Sequence, residues 1–154
     1  MASIFSKIIN GEIPSYKIAE TDSFLAFLDV RPLALGHTLV IPKNETDYIF
    51  DLEDEEYAAL MLFAKIIARA VKKTVPCKKI GVAVIGLEVP HAHIHLVPMQ
   101  QIGDLNFEKE RYHFTDEEYK KLAKSIASIL INIDCKYLHK KSPIFSYGAF
   151  FDSI

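Results

Sequence analysis

The sequence predicts an α+β fold with an antiparallel sheet of about five strands, a long helix and a C-terminal helix. Short apolar, β-branched runs bounded by glycine and proline indicate strands, and two longer segments carry apolar residues at helical spacing. The chain of 154 residues has the size of one domain. We expect that domain over residues 1–133, followed by an extension, residues 134–154, to which the sequence assigns no role.

The first third of the chain is predicted to form one short helix and three strands. The helix is expected over residues 3–10, because Gly11 closes it. The segment "RPLALG" (31–36) contains proline and glycine and is typical of a turn. The strands are expected at residues 16–20, 24–29 and 37–43.

Two long helices are expected, with two more strands between them. Residues 52–74 place apolar side chains on one stripe, with acidic residues at the positive end of the helix and lysines at the negative end. A second helix is expected to begin at Thr115, because Thr115 and Glu118 have the spacing of a capping box. The intervening strands are expected at residues 79–85 and 92–98.

The composition argues against several classes of function. A formal net charge of −2 gives no electrostatic reason to bind nucleic acid or a membrane surface. The two cysteines, Cys77 and Cys135, form no paired motif, which favours a reducing compartment. The N-terminal segment has no long apolar core of the kind that directs secretion. We therefore expect a cytoplasmic protein with no nucleic-acid partner and no membrane partner.

The stretch "VPHAHIHLVP" (89–98) contains three of the six histidines of the chain. Alternate side chains of a strand point to opposite faces, so His91, His93 and His95 are expected on one face. Four interpretations are open: a structural cluster, a metal site, a pocket that only binds phosphate, and a catalytic site. A metal site needs a further ligand, and the other histidines are His37, His113 and His139.

Three neighbouring imidazoles also suit catalysis at phosphorus. An unprotonated ring is a good nucleophile near neutral pH, and a neighbouring ring can donate a hydrogen bond to the phosphoryl oxygens. The glycines are nowhere spaced as in a P-loop or a dinucleotide-binding fingerprint, so no other phosphate-binding motif competes with the histidines.

The histidine stretch resembles the signature of the histidine triad (HIT) family, in which histidines alternate with hydrophobic residues. Three segments, in order, resemble the Hint or protein-kinase-C-interacting-protein branch of that family. They are "IFSKIINGEIPSYKI" (4–18), "FLAFLDVRPLALGHTLVIPK" (24–43) and "GVAVIGLEVPHAHIHLVP" (81–98). The resemblance covers about residues 3–100 and implies a HIT-like fold.

The resemblance implies a homodimer that binds a purine nucleotide, AMP-like or GMP-like, on the sheet of each subunit, with no cofactor. His93 would be the nucleophile that attacks the α-phosphate and forms a covalent nucleotidyl-histidine. His95 and His37 would contact the phosphate. His91 would steady the other two histidines of the motif through hydrogen bonds.

The resemblance also implies a set of nucleotide-binding residues. Asp29 would accept hydrogen bonds from the ribose hydroxyls, although an aspartate after a strand is equally typical of a turn. The aromatic and aliphatic members would wall the base, although their pattern alone is also typical of a core. The full set is Phe5, Ile8, Phe27, Asp29, Val30, Gly86 and Glu88.

Two departures from the family pattern change the expectations. Metal-binding members carry Cys-x-x-Cys near the N-terminus and a histidine after the IPK segment, where this chain has Ser3, Ser6 and Glu45. Of those four ligands only His91 is kept, so we expect no structural zinc. Better-studied members have Ser, Thr or Gln at the position of Glu88, so the leaving group stays open.

The expected activity is hydrolysis or nucleotidyl transfer at the α-phosphate of nucleoside 5′-phosphoramidates or related adenylates. The alternative enzyme is a dinucleoside polyphosphate hydrolase, as in the Fhit-like branch. The alternative from another class is a nucleotide-binding or interaction module with negligible turnover, for which Glu88 and the aromatic segment near the C-terminus leave room.

Overall fold

A computed structural model describes residues 2–137 of the chain, with side chains through residue 132. This part of the chain contains three helices and five strands. Helix α1 spans Ile4–Ile9, α2 spans Asp54–Thr74 and α3 spans Asp116–Tyr137. The strands are β1 Lys17–Glu20, β2 Phe24–Leu28, β3 Thr38–Pro42, β4 Lys79–Ala83 and β5 Ile94–Met99.

The five strands form one antiparallel sheet in the order β1-β2-β3-β5-β4. Helix α2 and its flanking loops connect β3 to the far edge strand β4. Strand β5 then returns between β3 and β4 and pairs with both. The predicted α+β fold, with an antiparallel sheet, a long helix and a C-terminal helix, is confirmed.

The main core lies between the sheet and the two long helices. Ala26, Val40 and Ile94 are opposite one another on β2, β3 and β5, and all three belong to this core. Ile67 of α2 and Ile126 of α3 are completely buried in it. Each such side chain contributes roughly 1.5–3 kcal/mol on burial. This face of the sheet therefore supplies most of the hydrophobic stabilisation.

The opposite face of the sheet carries a smaller cluster and the histidines. The neighbouring residues along the strands, Phe27, Leu39 and His95, are again opposite one another on β2, β3 and β5. Phe5 of α1 packs in a second cluster with Phe27 and Leu39. The members of this cluster come from α1, β2, β3 and the loop at Val89, whereas α2 and α3 pack in the main core. The histidines thus lie on the face away from the long helices.

The strand that carries the histidine motif begins later than the sequence indicated. Strand β5 starts at Ile94, so His91 and His93 lie just before it. The N–H of Ala92 donates to the carbonyl of Thr46 at 2.7 Å, which takes this part of the backbone out of the sheet ladder. The alternation nevertheless holds, because Ala92 and Ile94 both lie in the main core.

Both long helices form where their apolar stripes predicted them. Helix α2 starts at Asp54 rather than residue 52, because Ile49–Asp51 forms a 3-10 turn and Leu52 is extended. The capping box of α3 is confirmed. The N–H of Thr115 donates to the Glu118 carboxylate at 2.7 Å, and the N–H of Glu118 donates to the Thr115 hydroxyl at 3.2 Å. Within residues 2–137, no helix combines the length and the apolar character needed to cross a bilayer.

Helix α3 continues to Tyr137, past the domain boundary expected at residue 133. Residues 138–154, which include His139 and the aromatic segment, lie outside the described part of the chain. The extension over residues 134–154 therefore stays a prediction.

Gly36 turns the chain from the 31–36 segment into β3 and is expected to resist substitution. Its φ is +85°, and a Cβ added there would lie 2.8 Å from Cγ2 of Val75. Gly36→Ala should therefore lower the free energy of unfolding by about 1–3 kcal/mol, as measured by urea denaturation. Gly103→Ala is the matched control, because no atom lies within 4 Å of its added Cβ. Equal stability of the two variants would contradict this account of Gly36.

Candidate active site

The three histidines of the motif meet His37 on the face away from the long helices. His37 and His91 are completely buried, and His93 and His95 are 6% and 7% exposed. The ring centroids of His93 and His95 are 4.8 Å apart, and those of His37 and His95 are 5.2 Å apart. The structure therefore brings together the four residues that the sequence analysis assigned to catalysis.

His91 is held at both of its ring nitrogens. Its Nε2 lies 2.8 Å from the carbonyl oxygen of Pro42. Because a carbonyl only accepts hydrogen bonds, the ring proton lies on Nε2. Its Nδ1 lies 2.9 Å from the Ser3 hydroxyl, which can donate to Nδ1 when the ring proton is on Nε2. His91 thus ties the motif to the end of β3 and to the residue that caps α1.

His93 presents one free nitrogen to the site. Its Nδ1 lies 2.7 Å from the carbonyl oxygen of His91, so the ring proton lies on Nδ1 and the lone pair on Nε2. No residue of the described chain hydrogen-bonds to this Nε2. Buried side-chain nitrogens in the same part of the chain all have partners. The lone pair of His93 is therefore accessible to a ligand.

A backbone amide sets the positions of the protons on His37 and His95. The N–H of Leu33 donates to Nδ1 of His37 at 2.9 Å, so the proton of a neutral His37 lies on Nε2. That Nε2 lies 3.0 Å from Nδ1 of His95 and donates to it. The remaining proton of His95 lies on its Nε2. The site thus offers a lone pair on His93 and an N–H donor on His95.

Burial keeps these imidazoles neutral near pH 7. Desolvation, with a smaller effect from the positive charge of Arg111, lowers the pKa of His37 to about 3. Desolvation, with smaller effects from the neighbouring histidines, also lowers the pKa of His95 to about 3. Burial lowers the pKa of His93 too, against the opposing effect of its bond to the His91 carbonyl. The lone pair of His93 therefore stays available at neutral pH.

Phe5 and Phe27 border the histidines on one side. The Phe5 ring centroid lies 5.0 Å from that of His93 and 5.8 Å from that of Phe27, both in edge-to-face contact. Ile8 is half-buried and packs against the same cluster. Val30 is 60% exposed and lies outside the core. Phe5 and Phe27 are thus core residues that also border the site.

Asp29 follows β2 and lies beside His37. Its Oδ1 accepts from the N–H of Arg31 at 2.8 Å, as expected of a turn residue. Its Oδ2 lies 3.6 Å from Nε2 of His37. Asp29 therefore shapes the turn with one oxygen and presents the other towards the histidines.

Gly86 and Glu88 lie in the loop between β4 and the histidine motif. Gly86 has a φ of +70°, which favours glycine in this loop. The Glu88 side chain is exposed. Its negative charge acts to raise the pKa of His93, against the larger effect of burial. The Glu88 carboxylate therefore has a small electrostatic effect on the pKa of His93.

Two residues that the sequence analysis missed pack behind His95. The ring centroid of Phe107 lies 4.7 Å from that of His95. The Arg111 guanidinium lies 5.5 Å from the centroid of Phe107 and donates to the carbonyl of Arg31 at 3.0 Å. Both residues belong to the irregular segment that follows β5. No periodicity or motif distinguishes them there, so no feature of the sequence identifies them.

The residues at the family's metal-ligand positions do not fit a zinc site. Zinc prefers cysteine sulfur, histidine nitrogen and carboxylate oxygen, and hydroxyls such as those of Ser3 and Ser6 are poor ligands. The Ser6 hydroxyl and the N–H of Ser3 both donate to the Glu45 carboxylate. Both nitrogens of His91 are already hydrogen-bonded. These four residues form a hydrogen-bonded cluster in place of a metal centre.

One other group in the described part of the chain has metal-ligand spacing. Ligand atoms of Asp29, His37 and His95 lie within 4.8 Å of one another. However, Nδ1 of His37 accepts from Leu33 and its Nε2 donates to His95, so an ion would have to displace these bonds. The hydrogen bonds explain the grouping without an ion.

Comparison with known proteins places these features in a family. The chain matches the HIT domain over residues 10–102. An uncharacterised HIT-like protein of Borreliella burgdorferi is 35% identical over 132 residues, which cover 80% of this chain and 95% of that protein. The adenosine 5′-monophosphoramidase of Schizosaccharomyces pombe is 34% identical over 131 residues, with 83% and 98% covered. The crystal structure of a zinc-bound histidine triad family protein of Mycobacterium smegmatis superposes with a TM-score of 0.75 at 29% identity, with 88% and 98% covered.

These matches extend over most of the chain and are not limited to the histidine motif. The solved structure shares the five-stranded α+β architecture closely enough to confirm the expected HIT-like fold. From its sequence, its fold and the arrangement of its histidines, we conclude that this chain belongs to the HIT family.

Proposed function

We propose that this protein hydrolyses purine nucleoside 5′-phosphoramidates, or related adenylates, through a covalent nucleotidyl-histidine on His93. The observation that carries the proposal is the 2.7 Å hydrogen bond from Nδ1 of His93 to the carbonyl of His91, which leaves the lone pair on Nε2. The name of the S. pombe relative, an adenosine 5′-monophosphoramidase, supports this class of substrate.

The proposed reaction has two steps. In the first, Nε2 of His93 attacks the α-phosphorus, the bond from phosphorus to the leaving nitrogen breaks, and the amine leaves with a proton from the solvent. The nucleotide is then bound to His93, whose ring charge is stabilised by the bond from Nδ1–H to the His91 carbonyl. In the second step, water attacks phosphorus, the electron pair returns to Nε2, and a nucleoside monophosphate and a proton are released.

His95 is proposed to stabilise the charge that develops on the phosphoryl oxygens. Its proton lies on Nε2 because Nε2 of His37 donates to its Nδ1 at 3.0 Å. A donor that is already oriented before the substrate binds requires no reorganisation in the transition state. In this proposal His37 orients His95 through their hydrogen bond and lies next to the site of the phosphate.

Glu88 supports an amine as the leaving group in preference to a phosphate. Its exposed carboxylate lies in the loop before the motif, and its charge has a small effect on the pKa of His93, weaker than that of burial, the His91 carbonyl and Asp29. Like charges repel, so a polyphosphate leaving group would be opposed by this carboxylate, whereas a neutral or cationic amine would not. The same repulsion disfavours dinucleoside polyphosphates as substrates.

The nucleotide is proposed to lie across the face formed by β2 and β3. The base would contact Phe5 and Phe27, with Ile8 and Val30 at the border, and the aromatic edges of this wall support that placement. The ribose hydroxyls would donate to Asp29, whose Oδ2 is not used by the turn. The reaction as proposed uses no cofactor, and its location in the cytoplasm stays a prediction.

Removal of the His93 ring should abolish turnover and the covalent intermediate. With adenosine 5′-phosphoramidate, His93→Ala should lose at least about 10³-fold in kcat while AMP affinity changes less than about tenfold, because the lost group acts on the reacting atom. Intact-protein mass spectrometry after millisecond mixing and a mildly basic quench should detect one bound AMP in the wild type and none in the variant.

His113→Ala is the matched control for this experiment, since His113 is an exposed histidine outside the site. It should form the adduct and turn over as the wild type does. Turnover by His93→Ala at the wild-type rate would show that another group is the nucleophile. Absence of both adduct and AMP release in the wild type would instead favour a binding module.

The lowered pKa of His93 predicts how the rate depends on pH. The attacking form is the neutral ring, and a histidine whose pKa lies below its ordinary value of about 6.5 stays neutral to lower pH. A plot of kcat/KM against pH, which reports the free enzyme, should therefore fall on its acid side with a midpoint below about 6.5. A midpoint at or above about 6.5, after correction for uncatalysed hydrolysis, would contradict the assigned role of burial.

We further propose that two copies of the chain associate through the free edge of β4. Strand β4 is the last strand of the sheet, and on its outer side no strand of the described chain pairs with it. Val82, Val84 and Ile85 in and beside this strand are exposed. An exposed apolar edge strand is a favourable surface for pairing with a second chain.

The association predicts a dimer in light scattering, with about twice the 17.4 kDa mass of the chain. The double variant Val82→Glu and Val84→Glu should be monomeric, because the paired edges would then bring carboxylates together. Ile131→Glu, which alters an exposed apolar residue of α3, should remain dimeric. A monomeric wild type at micromolar concentration would refute the proposal.

A further inference from the structure

The residue that caps the first helix also contacts the histidine motif. Ser3 is 7% exposed, and its hydroxyl lies 2.9 Å from Nδ1 of His91, a residue 88 positions away in the sequence. The same hydroxyl oxygen accepts from the N–H of Ser6 at 3.1 Å, as a helix cap does. Ser3 therefore joins the start of α1 to the active-site face.

Glu45 fixes the position of Ser3 from the other side. Its Oε2 accepts from the N–H of Ser3 at 3.2 Å and from the hydroxyl of Ser6. These two bonds tie the first turn of α1 to the loop that follows β3. The carboxylate thereby holds the backbone of Ser3, while the Ser3 hydroxyl has two possible acceptors, Nδ1 of His91 at 2.9 Å and the Ser6 hydroxyl oxygen at 3.2 Å.

The available protons determine the direction of each bond. The proton of a neutral His91 is used by the carbonyl of Pro42, so its Nδ1 can only accept. The Ser3 hydroxyl has one proton, and Nδ1 of His91 is the nearer of its two acceptors, at 2.9 Å against 3.2 Å for the Ser6 hydroxyl oxygen. Donation to Nδ1 satisfies a buried lone pair, whereas the Ser6 hydroxyl is already bonded to Glu45. Without this donor, Nδ1 would be a buried acceptor with no partner, which is unfavourable because its lost hydrogen bond to water is not replaced. The serine thus favours one tautomer and one orientation of the His91 ring.

The orientation of His91 affects the nucleophile through the backbone. The carbonyl of His91 accepts from Nδ1 of His93 at 2.7 Å, so a shift of His91 moves the bond that directs the lone pair. Phe5, two residues after Ser3, is in edge-to-face contact with the rings of both His91 and His93. A change at Ser3 therefore reaches His93 by a hydrogen bond and by a packed ring.

We propose that Ser3, held by Glu45, is a positioning residue that fixes the His91 ring and through it the orientation of the His93 nucleophile. The proposal rests on the proposed function for its kinetic part. Its structural part, the tautomer of each ring, is independent of any substrate. In this chain, a hydrogen-bonded cluster thus performs the anchoring at positions where metal-binding relatives place ligands.

The test compares Ser3→Thr with Ser3→Val, two side chains of the same shape of which only threonine has a hydroxyl. Ser3 has φ −63° and ψ 163°, an extended conformation that both β-branched residues adopt readily. Histidine-labelled protein without ligand is examined at pH 8 by long-range 15N–1H correlation spectroscopy, with His91→Gln and His93→Gln used for assignment. The same proteins are assayed with adenosine 5′-phosphoramidate.

Wild type and Ser3→Thr should show His91 protonated on Nε2 and His93 protonated on Nδ1. Ser3→Val should lose the single tautomer of His91 and lower kcat by about tenfold or more, with KM changed less than about threefold, because the nucleophile is misoriented while the nucleotide surface is kept. A serine that served only as a helix cap would change stability but would leave the tautomers and kcat as they are.

Glu45→Ala provides a second test, since Glu45 is exposed and its removal leaves the buried core intact. It should lower kcat in the same direction as Ser3→Val and by a smaller factor. Glu12→Ala, which removes an exposed carboxylate just after α1, is its control and should have no effect. If Ser3→Val does not fold, unchanged His91 resonances and kcat in Glu45→Ala would overturn the proposal. Identical spectra and kcat in the threonine and valine variants would also overturn it.

The two proposals can fail separately. If the wild type does not turn over phosphoramidate but the valine variant alone loses the His91 tautomer, the positioning role stands and the proposed function fails. If turnover is confirmed and the tautomers are insensitive to the hydroxyl, the function stands and the positioning role fails.

Discussion

The hydrogen bond from Nδ1 of His93 to the carbonyl of His91 is the contact on which the proposed chemistry depends. It is possible because the backbone at this point is not yet part of the sheet: β5 begins at Ile94, and the Ala92 amide is used by Thr46. The carbonyl of His91 is therefore free to accept from a side chain. Ala92 and Ile94, packed in the main core, hold the segment in place from the other side of the sheet. The tautomer of His93 thus follows from where the strand starts and from how the core packs.

Burial of the histidine rings removes water from them, whereas their nitrogens still need hydrogen-bond partners. Burial removes water and lowers the pKa values of His37, His93 and His95, which keeps the rings neutral. A buried neutral imidazole still needs a partner for each nitrogen that water does not reach. Leu33, Pro42, Ser3 and the carbonyl of His91 provide such partners, and His37 and His95 bond to each other. Among residues 2–137, only Nε2 of His93 and Nε2 of His95 have no partner in this group of rings. The burial that keeps His93 unprotonated therefore also requires that each ring proton of these histidines be held by a defined hydrogen bond.

The sequence predicted the fold well because the signals for it are local. Alternating apolar residues gave the strands, helical spacing gave α2 and α3, and the Thr115–Glu118 box marked where α3 begins. His91, His93 and His95 were found because an unusual residue recurs at every second position of the motif, whereas His37 was assigned only through the family resemblance. By contrast, the contact of Ser3 with His91 spans 88 residues and that of Arg111 with Arg31 spans 80. Such contacts depend on how the strands and loops assemble, and periodicity within one segment carries no information about them.

Several hydrogen-bond partners of the histidine rings are backbone groups, which affects how the site tolerates substitutions. The N–H of Leu33 and the carbonyls of Pro42 and His91 fix the ring protons of the histidines, and none of the three belongs to a side chain. Every residue supplies a carbonyl, and every residue except proline supplies an N–H. Replacement of the side chain at position 33 or 42 therefore leaves these partners in place as long as the loops keep their course, with proline at position 33 as the exception. The protonation of His37 and His93 therefore depends on the path of the main chain, whereas that of His91 and His95 depends also on the side chains of Ser3 and His37.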